Sequence, residues 1–247
     1  MKVAIAGAGG RMGRTLIEAV SADRELSLAA LLDVSGVGGE IAGLKVSDDL
    51  ARIAGADVLI DFTRPEGTLE HLKHAKACVI GTTGFDEKGT AQIAKASKRV
   101  PIVFSPNFAI GVNVVFKLAE TAAQTLGAGY DVEIIEAHHR HKVDAPSGTA
   151  LKLGQTIAAV LKKKDFAFGR KGDTGERPAR QIGFHAIRGG DIVGEHTVMF
   201  AGQGERVEVT VRSQSRMTYA LGALRAAKWL KGKPAGLYDM FDVLGLR

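Results

Sequence analysis

The densest group of chemically capable side chains lies between residues 136 and 150, where the sequence is EAHHRHKVDAPSGTA. His138, His139 and His141 stand together with Arg140 and Lys142 within five consecutive positions. Neighbouring positive charges oppose further protonation, so we expect at least some of these histidines to have a lowered pKa. A histidine of this kind could deliver a proton to a bound molecule.

The residues that follow predict the start of a helix that binds an anion. Pro146 and Ser147 are typical of helix N-termini. Ser147, Gly148 and Thr149 would present hydroxyl and N–H groups at this helix start, and Lys142 adds a positive charge. We therefore predict a carboxylate-binding site here, with a histidine placed beside it.

Two other interpretations fit the histidine group. Clustered histidines can bind zinc, but Arg140 and Lys142 oppose a cation, no cysteine lies near, and the His-Glu-x-x-His spacing is absent. We therefore predict no metal. The second alternative is a solvated basic loop that leads into a capped helix.

A glycine-rich turn, GAGGRMG, follows directly after the first predicted strand and precedes a predicted helix. In this context it predicts a dinucleotide-binding turn, in which Gly7 permits the tight bend and Gly13 lets the helix pack closely on the strand. Gly9 and Gly10 would let the backbone approach a pyrophosphate. The glycine spacing departs from the common G-x-G-x-x-G form. The cofactor residues predicted from this turn are Gly7, Ala8, Gly9, Gly10, Arg11, Met12 and Gly13.

Asp33 ends the second predicted strand, where an acid is expected to bind the adenosine ribose hydroxyls of a dinucleotide. The alternative is a turn aspartate before Gly36. Val34 and Ser35 follow Asp33, so a 2′-phosphate would meet a carboxylate with little compensation beyond Arg11. We therefore expect NADH to work at least as well as NADPH.

Two further loops follow the fourth and fifth predicted strands, at the sheet edge where ligands bind in open parallel sheets. One contains Gly81, Thr82 and Thr83, and the other contains Ser105, Pro106, Asn107 and Phe108. They could orient a nicotinamide ring, although ordinary turn chemistry explains each loop about as well.

The pattern of apolar runs predicts an α/β protein with two parts. Strands and helices alternate up to residue 104, which predicts a Rossmann-like parallel sheet with helices on both faces. An α+β block with a mixed or antiparallel sheet follows, and a helix over 218–231 precedes a short tail. The predicted strands are 2–6, 26–32, 57–61, 77–80, 101–104, 131–137, 181–187, 192–200 and 206–211, the last three as antiparallel neighbours. The other predicted helices are 11–20, 66–76, 86–98, 112–126 and 147–161, and a polar, mobile loop is expected over 169–180.

Composition excludes several classes of protein. Of 247 residues, 45% are hydrophobic and 24% are charged, as in ordinary globular proteins, and no apolar run is long enough to cross a bilayer. We see no secretory signal and expect a cytoplasmic protein. The net charge of +6 raises nucleic-acid binding as an alternative, but the cations are scattered and the longest basic run is only 162–164. We therefore expect no nucleic-acid or membrane partner, and a basic face that attracts small anions.

The segment 136–150 strongly resembles the signature of bacterial dihydrodipicolinate reductases, enzymes of lysine and diaminopimelate synthesis. The resemblance covers nearly the whole chain, through GAGGRMGR at 7–14, DFTRPEGT at 61–68, GTTGF at 81–85, GDIVGEHTVMF at 190–200 and SRMTYA at 215–220. It implies NADH- or NADPH-dependent reduction of the cyclic dicarboxylate made by dihydrodipicolinate synthase, to give tetrahydrodipicolinate.

The resemblance also implies residue roles and an organisation. His138 would be the acid/base, Lys142 would donate a proton and hold the substrate, and His139, Gly148 and Thr149 would contact its carboxylates. Residues 8–13, 33, 81–83 and 105–108 would hold the nucleotide. A dinucleotide-binding domain, 1–108 and 219–247, would carry an inserted substrate-binding and tetramerisation domain, 109–218, within a homotetramer. Closure hinges are expected near 108–111 and 212–217.

This chain departs from some relatives at Val34, where they carry a basic residue, and at 34–46, which looks shorter. Two alternatives share only the cofactor fold: a dehydrogenase of another small carboxylate, and a nucleotide-binding redox sensor without turnover.

Overall fold

The structure, a computed structural model, describes residues 1–163 and 165–247, so Lys164 of the basic run lies outside the described residues. Contacts divide the chain into two compact units. The first unit consists of Met1–Ile110 and Arg216–Arg247, and the second of Gly111–Ser215. The second unit is therefore an insertion in the first. The expected domain boundaries, 108/109 and 218/219, lie within three residues of these.

The helices and strands of the described residues are numbered here in chain order. The strands are β1 (Lys2–Ala6), β2 (Ser27–Leu32), β3 (Glu40–Ile41), β4 (Leu44–Ser47), β5 (Val58–Asp61), β6 (Cys78–Ile80), β7 (Pro101–Phe104), β8 (Asp131–His138), β9 (Asp165–Phe168), β10 (Gln181–Arg188), β11 (Gly194–Ala201), β12 (Arg206–Ser213) and β13 (Gly236–Tyr238). The α-helices are α1 (Arg11–Ala22), α2 (Pro65–His71), α3 (Glu87–Ala96), α4 (Ile110–Leu126), α5 (Gly148–Leu161), α6 (Met217–Trp229) and α7 (Met240–Leu244), with 3₁₀ turns at Leu50–Gly55 and Gly127–Gly129.

The first unit is built on a sheet with the strand order β13-β7-β6-β5-β1-β2-β4-β3. Its strands pair in parallel except for β3 and β4. Alternate side chains enter two cores: Val3 and Ile5 of β1 join the core that includes α1 and α6, whereas Ala4 and Ala6 join the core that includes α3. Burial of an Ile or Leu side chain contributes about 1.5–3 kcal/mol, so both faces stabilise the sheet. The predicted Rossmann-like arrangement is confirmed.

The second unit has a mixed sheet with the order β12-β11-β8-β10-β9. β8 lies at its centre, parallel to β10 on one side and antiparallel to β11 on the other. Helix α5 packs on one face so closely that a Cβ at Gly154 would lie 2.3 Å from the Phe184 ring. The mixed sheet was one of the predicted forms and is confirmed.

The prediction of three antiparallel neighbours after α5 is wrong for β10. This strand pairs in parallel with β8 and β9, and β8 separates it from β11. The connection over residues 189–193 can pass the end of one strand, because two strand spacings measure only about 10 Å. Nearness in sequence therefore does not fix which strands pair.

Other differences concern short or frayed elements. The helix predicted over 66–76 ends at His71, because the next turn tightens: the N–H groups of Lys73 and His74 donate to the carbonyls of Glu70 and His71, three residues back. Strands β3, β4, β9 and β13 were not predicted, because they are short and mostly exposed or half-buried and so lack the buried apolar run of the central strands.

Candidate active site

The glycine turn joins β1 to α1 in the first unit. Gly7 has a φ of +81°, which favours glycine, and a Cβ on Gly13 would lie only 2.0 Å from the Gly7 carbonyl oxygen. Helix α1 begins after Gly10, which has no side chain to cap it, and no acidic residue stands in its first turn, Arg11 to Arg14. The N–H groups of this turn therefore suit an anion such as a pyrophosphate.

Asp33 is fixed beside this turn. Its Oδ2 accepts a 2.8 Å hydrogen bond from the N–H of Gly9, and its Oδ1 accepts bonds of 2.9 Å from the N–H and the hydroxyl of Ser35. Burial opposes ionisation, but these hydrogen bonds outweigh it and hold the pKa of Asp33 below its ordinary value. The carboxylate is charged at neutral pH and suits ribose hydroxyls.

A pocket of about 760 Å³ in the first unit is lined by Gly7, Gly9, Gly10 and Asp33. Its other walls include residues that the sequence analysis did not single out as binding residues, namely Asp48 after β4, the segment 62–64, Glu66, Gly67 and His71. Asp48 and Glu66 thus add two carboxylates to that of Asp33, and Arg64 adds a guanidinium. This wall is more acidic than the sequence around Asp33 indicated.

A buried carboxylate connects residues that line this pocket to the loop after β6. Asp61, fully buried at the end of β5, accepts hydrogen bonds from the hydroxyls of Thr63, Thr68 and Thr82 and lies 2.7 Å from Nδ1 of His71. Thr82, predicted to bind the cofactor, is itself buried, and its hydroxyl is engaged inside this network. The loop 81–83 therefore offers a ligand its backbone N–H and C=O groups and the side chain of Thr83.

The loop after β7 is held by its own hydrogen bonds. The Ser105 hydroxyl donates to the Asn107 carbonyl over 3.0 Å, and Phe108 is buried with its ring 5.7 Å from that of Phe62. Phe108 is thus part of the core, and Pro106 is exposed. The predicted cofactor residues Ala8, Arg11, Met12, Gly13, Gly81, Thr82, Thr83, Ser105, Pro106, Asn107 and Phe108 do not line the 760 Å³ pocket. They follow β1, β6 and β7 at the carboxyl edge of the sheet.

In the second unit, the histidine group begins at the end of β8, where strand alternation puts Glu136 and His138 on one face. Glu136 is 1% exposed, and its two oxygens accept hydrogen bonds of 2.9 and 2.7 Å from Arg188. The N–H of Ser147 adds a third bond, of 3.2 Å. Burial opposes ionisation of Glu136, but Arg188 and His138 outweigh it, so its pKa lies below the ordinary value.

His138 is held by the same carboxylate, with Nδ1 2.5 Å from Oε2 of Glu136. Because a carboxylate only accepts, Nδ1 carries the hydrogen, and Nε2 of the neutral ring is an acceptor. Burial lowers the pKa of His138, and Lys142 and Arg188 lower it further against the opposing effect of Glu136. The pKa of His138 is lowered as expected, but burial is the larger cause and neighbouring positive charge the smaller one.

Lys142 and the start of α5 are the anion-binding features predicted nearby. The Lys142 ammonium donates to Oδ1 of Asp144 over 2.7 Å. Ser147 caps α5 by accepting a 3.2 Å hydrogen bond from the N–H of Ala150, so its hydroxyl is engaged in the cap. The other predicted groups at this helix start belong to Gly148, which is exposed, and Thr149, which is half-buried.

Three buried side-chain atoms have no hydrogen-bond partner in the described part of the chain: Nδ1 of His139, Nε of Arg188 and Nδ1 of His196. His139 follows His138, Arg188 binds Glu136, and His196 is the register partner of Glu136 on β11. We call these three residues, with Glu136, His138 and Lys142, the Glu136 cluster. An unpaired buried polar group costs about 1–3 kcal/mol, so their concentration here indicates a site for polar ligands.

Comparisons with known families agree with these features. The family model described as dihydrodipicolinate reductase, N-terminus, matches residues 1–108, and the model described as dihydrodipicolinate reductase, C-terminus, matches residues 111–244. This chain belongs to the dihydrodipicolinate reductase family. The resemblance inferred from the sequence is therefore confirmed.

Relatives match over their whole length. The 4-hydroxy-tetrahydrodipicolinate reductase of Thiobacillus denitrificans is 57% identical over 268 residues, covering 100% of this chain and 99% of that protein. The enzyme of that name from Dechloromonas aromatica is 55% identical, covering 100% and 98%. Among solved structures, the dipicolinate-bound dihydrodipicolinate reductase from Paenisporosarcina sp. TG-14 has a TM-score of 0.80 and 28% identity, covering 98% of each chain. A shortening at 34–46 stays a prediction.

Sequence reasoning about this family member missed part of the Glu136 cluster. Glu136 could have been found, because residues two apart on a strand share a face and the acid stands two before His138. Arg188 and His196 carry no such signal, since strand pairing alone brings them to β8. Within residues 1–163 and 165–247, no helix combines the length and apolar character needed to span a membrane, and no group of three or more His, Cys, Asp or Glu side chains is placed to hold a metal.

Proposed function

We propose that this chain is an NAD(P)H-dependent reductase that converts 4-hydroxy-tetrahydrodipicolinate (dihydrodipicolinate) to tetrahydrodipicolinate, in the diaminopimelate route of lysine synthesis. The observation that carries the proposal is the Glu136 cluster, in which a buried carboxylate holds a neutral histidine near an ammonium group. Reduction of an anionic ring needs such a pairing of proton transfer with anion binding. The names of the full-length relatives support the same activity.

The residues of the first unit fit a dinucleotide. The close approach of Gly13 to Gly7 leaves the first turn of α1 to receive the pyrophosphate, and Asp33 accepts hydrogen bonds from the adenosine ribose. We assign the nicotinamide end to the loops 81–83 and 105–108. NADH or NADPH supplies a hydride when bound.

Lys142 and the start of α5 bind the carboxylates of the substrate. The ammonium group exchanges its exposed partner, Asp144, for a substrate carboxylate. Gly148 and Thr149 begin α5, where N–H groups and the helix dipole favour an anion, and we assign His139 to the same carboxylate site. Ser147 acts through the cap that begins this helix.

Proton delivery follows from the state of His138. Reduction adds a hydride to one atom of the conjugated ring and a proton to another, so the site must supply one proton. His138 is held neutral, with Nδ1–H on Glu136, and therefore presents an accepting Nε2. Lys142 donates the proton to the ring, and the amine left behind is reprotonated from solvent through a water held at the accepting Nε2 of His138.

A coupled assay tests this function. Dihydrodipicolinate synthase, pyruvate and aspartate semialdehyde generate the substrate in the cuvette, and NADH absorbance should fall only when both precursors are present. No consumption under these conditions would refute the reductase. Consumption of NADH with an unrelated 2-oxo acid or amino acid would support another dehydrogenase. Binding of the nucleotide without consumption of NADH, whichever substrate is added, would support a redox sensor.

We predict that NADH serves at least as well as NADPH. Asp33, Asp48 and Glu66 line the same pocket, and Val34 supplies no cation, so a 2′-phosphate meets net negative charge. The measurement is kcat/KM for each cofactor, with dissociation constants from nucleotide fluorescence as a readout independent of turnover. A large preference for NADPH would contradict the prediction.

We also infer a homotetramer that works in the cytoplasm. One face of the second unit's sheet is buried under α5, through His196, Val198 and Phe200, whereas Thr197 and Thr210 on the opposite face bond to each other and remain accessible. A polar and partly apolar sheet face of this kind suits pairing with the same face of another copy. Light scattering in solution tests the assembly, which should have four times the mass of the 26.0 kDa chain.

A further inference from the structure

His196 is a buried histidine of β11 to which the mechanism above gives no role. Its side chain lies on the α5 side of the sheet, opposite Glu136 in the register of β8 and β11. Only 4% of the residue is exposed, and its Nδ1 has no partner among the described residues. Phenylalanine would fill a similar space without an unpaired nitrogen, so histidine at this position makes the protein less stable than phenylalanine would.

The ring of His196 packs against His138. The two ring centroids are 5.2 Å apart, and the ring planes meet at 68°, edge to face. This contact covers the acid/base histidine from the side of β11. The charged and titratable groups that bear on the two rings from the neighbouring elements are Glu136 of β8, Lys142 of the following loop and Arg188 of β10.

His196 does not compete with His138 for protons. Burial, together with smaller effects of His138 and Lys142, lowers the pKa of His196 to about 4 against the opposing effect of Glu136. A protonated ring would need an acceptor at both nitrogens, and Nδ1 has none. The imidazole is therefore an uncharged wall beside the carboxylate that holds His138.

We propose that His196 is a positioning residue: its neutral ring excludes bulk water from the β11 side of His138 and keeps that ring on Glu136, so that, of the two packed histidines, only His138 takes part in proton exchange. The catalytic meaning of this role rests on the proposed function. The protonation of His138 itself can be measured without turnover.

The test is an NMR titration of histidine ring carbons in the full-length protein, with the His138 signal identified by its loss in His138→Gln. In His196→Ala, water reaches His138, and its pKa should rise by about half a unit or more toward its ordinary value of about 6.5. In His196→Phe, the neutral aromatic wall is restored, and the pKa of His138 should stay as in the wild type. An unchanged pKa in His196→Ala, or the same rise in His196→Phe, would overturn the proposal.

Val198→Ala is the matched control for a loss of packing. Val198 is two residues along β11, on the same face, and fully buried. Its truncation should lower the melting temperature as His196→Ala does, but the pKa of His138 should stay as in the wild type. A merely structural role for His196 predicts that the two alanine variants shift the His138 titration alike, which would also refute the proposal.

Turnover gives the second readout. If His138 must be neutral to act, the acid limb of the kcat/KM profile should move to higher pH in His196→Ala and stay in place in His196→Phe and Val198→Ala. Failure of the reductase assay in the wild type would remove the proposed function. The NMR result would still decide whether His196 controls His138.

Discussion

Glu136 serves three partners with two oxygens, namely the guanidinium of Arg188, the ring of His138 and the N–H of Ser147. The same carboxylate thus fixes the tautomer of His138 and ties the start of α5 to the end of β8. A single carboxylate therefore sets both the tautomer of His138 and the position of the helix start, because a buried charged acceptor orients the donors around it.

The first prediction concerns the two residues that exchange protons. His138→Gln and Lys142→Met should each lower kcat by about a hundredfold, the scale of a positioned proton donor. Steady-state kinetics with a fixed cofactor concentration provide the measurement. His141→Gln, in the same loop but exposed, is the control and should keep kcat within about twofold. Unchanged kcat in both test variants would remove them from the mechanism.

At the scale of elements, the first turn of α1 lies closest to the glycine turn at Gly13. Gly13→Ala should destabilise the protein by about 3 kcal/mol, because the new methyl group would clash with the Gly7 carbonyl oxygen, a backbone atom that cannot move aside. Urea unfolding and NADH binding should both deteriorate. Gly55→Ala is the matched control: no atom lies within 4 Å of its Cβ, so both measurements should stay near the wild type.

Two arginines of the loop 169–180 bind a carboxylate of the sheet. Arg170 and Arg177 both bind the carboxylate of Glu133, at distances between 2.8 and 3.0 Å, and His185 lies 2.7 Å from it. Burial opposes ionisation of Glu133, but these bonds lower its pKa to about 2. The loop that the sequence predicts to be mobile is thus attached to the sheet through Arg170 and Arg177.

Acid should weaken this attachment. A carboxyl whose pKa falls from 4.5 to about 2 on folding contributes about 3 kcal/mol above pH 4.5, and this is lost as the pH falls toward 2. Glu133→Gln should therefore have a free energy of unfolding about 3 kcal/mol below that of the wild type at pH 7. This difference between the two proteins should decrease as the pH falls from 4.5 to 2. Urea unfolding at several pH values measures this. Glu176→Gln, exposed in the same loop, is the control, and a gap independent of pH would contradict the assignment.

At the scale of the whole molecule, the accessible sheet face of the second unit is where we place contacts between copies. Thr210→Glu should shift the protein toward smaller species in light scattering, because assembly would bury the new carboxylates without partners. Gln155→Glu, on the exposed side of α5, adds the same charge to the other face and should leave the mass unchanged. Retention of the tetramer in Thr210→Glu would place the interface elsewhere.

The sequence by itself determined the features that depend on residues close together in the chain. The turn at 7–13, the strand–helix alternation up to residue 104 and the cap at Ser147 follow from local sterics, periodicity and hydrogen bonding, and the structure has them. The signature at 136–150 was also local, and it was enough to indicate the family.

Only the tertiary structure decided which distant residues meet. Asp48 came to the pocket of Asp33, Arg188 and His196 came to Glu136, and β8 came to lie between β10 and β11. Each meeting depends on strand pairing across many residues, for which one sequence shows no periodic signal. The physical reason is that pairing is chosen by the summed burial and hydrogen bonding of the whole sheet, whereas a turn or a cap is chosen by its own few residues.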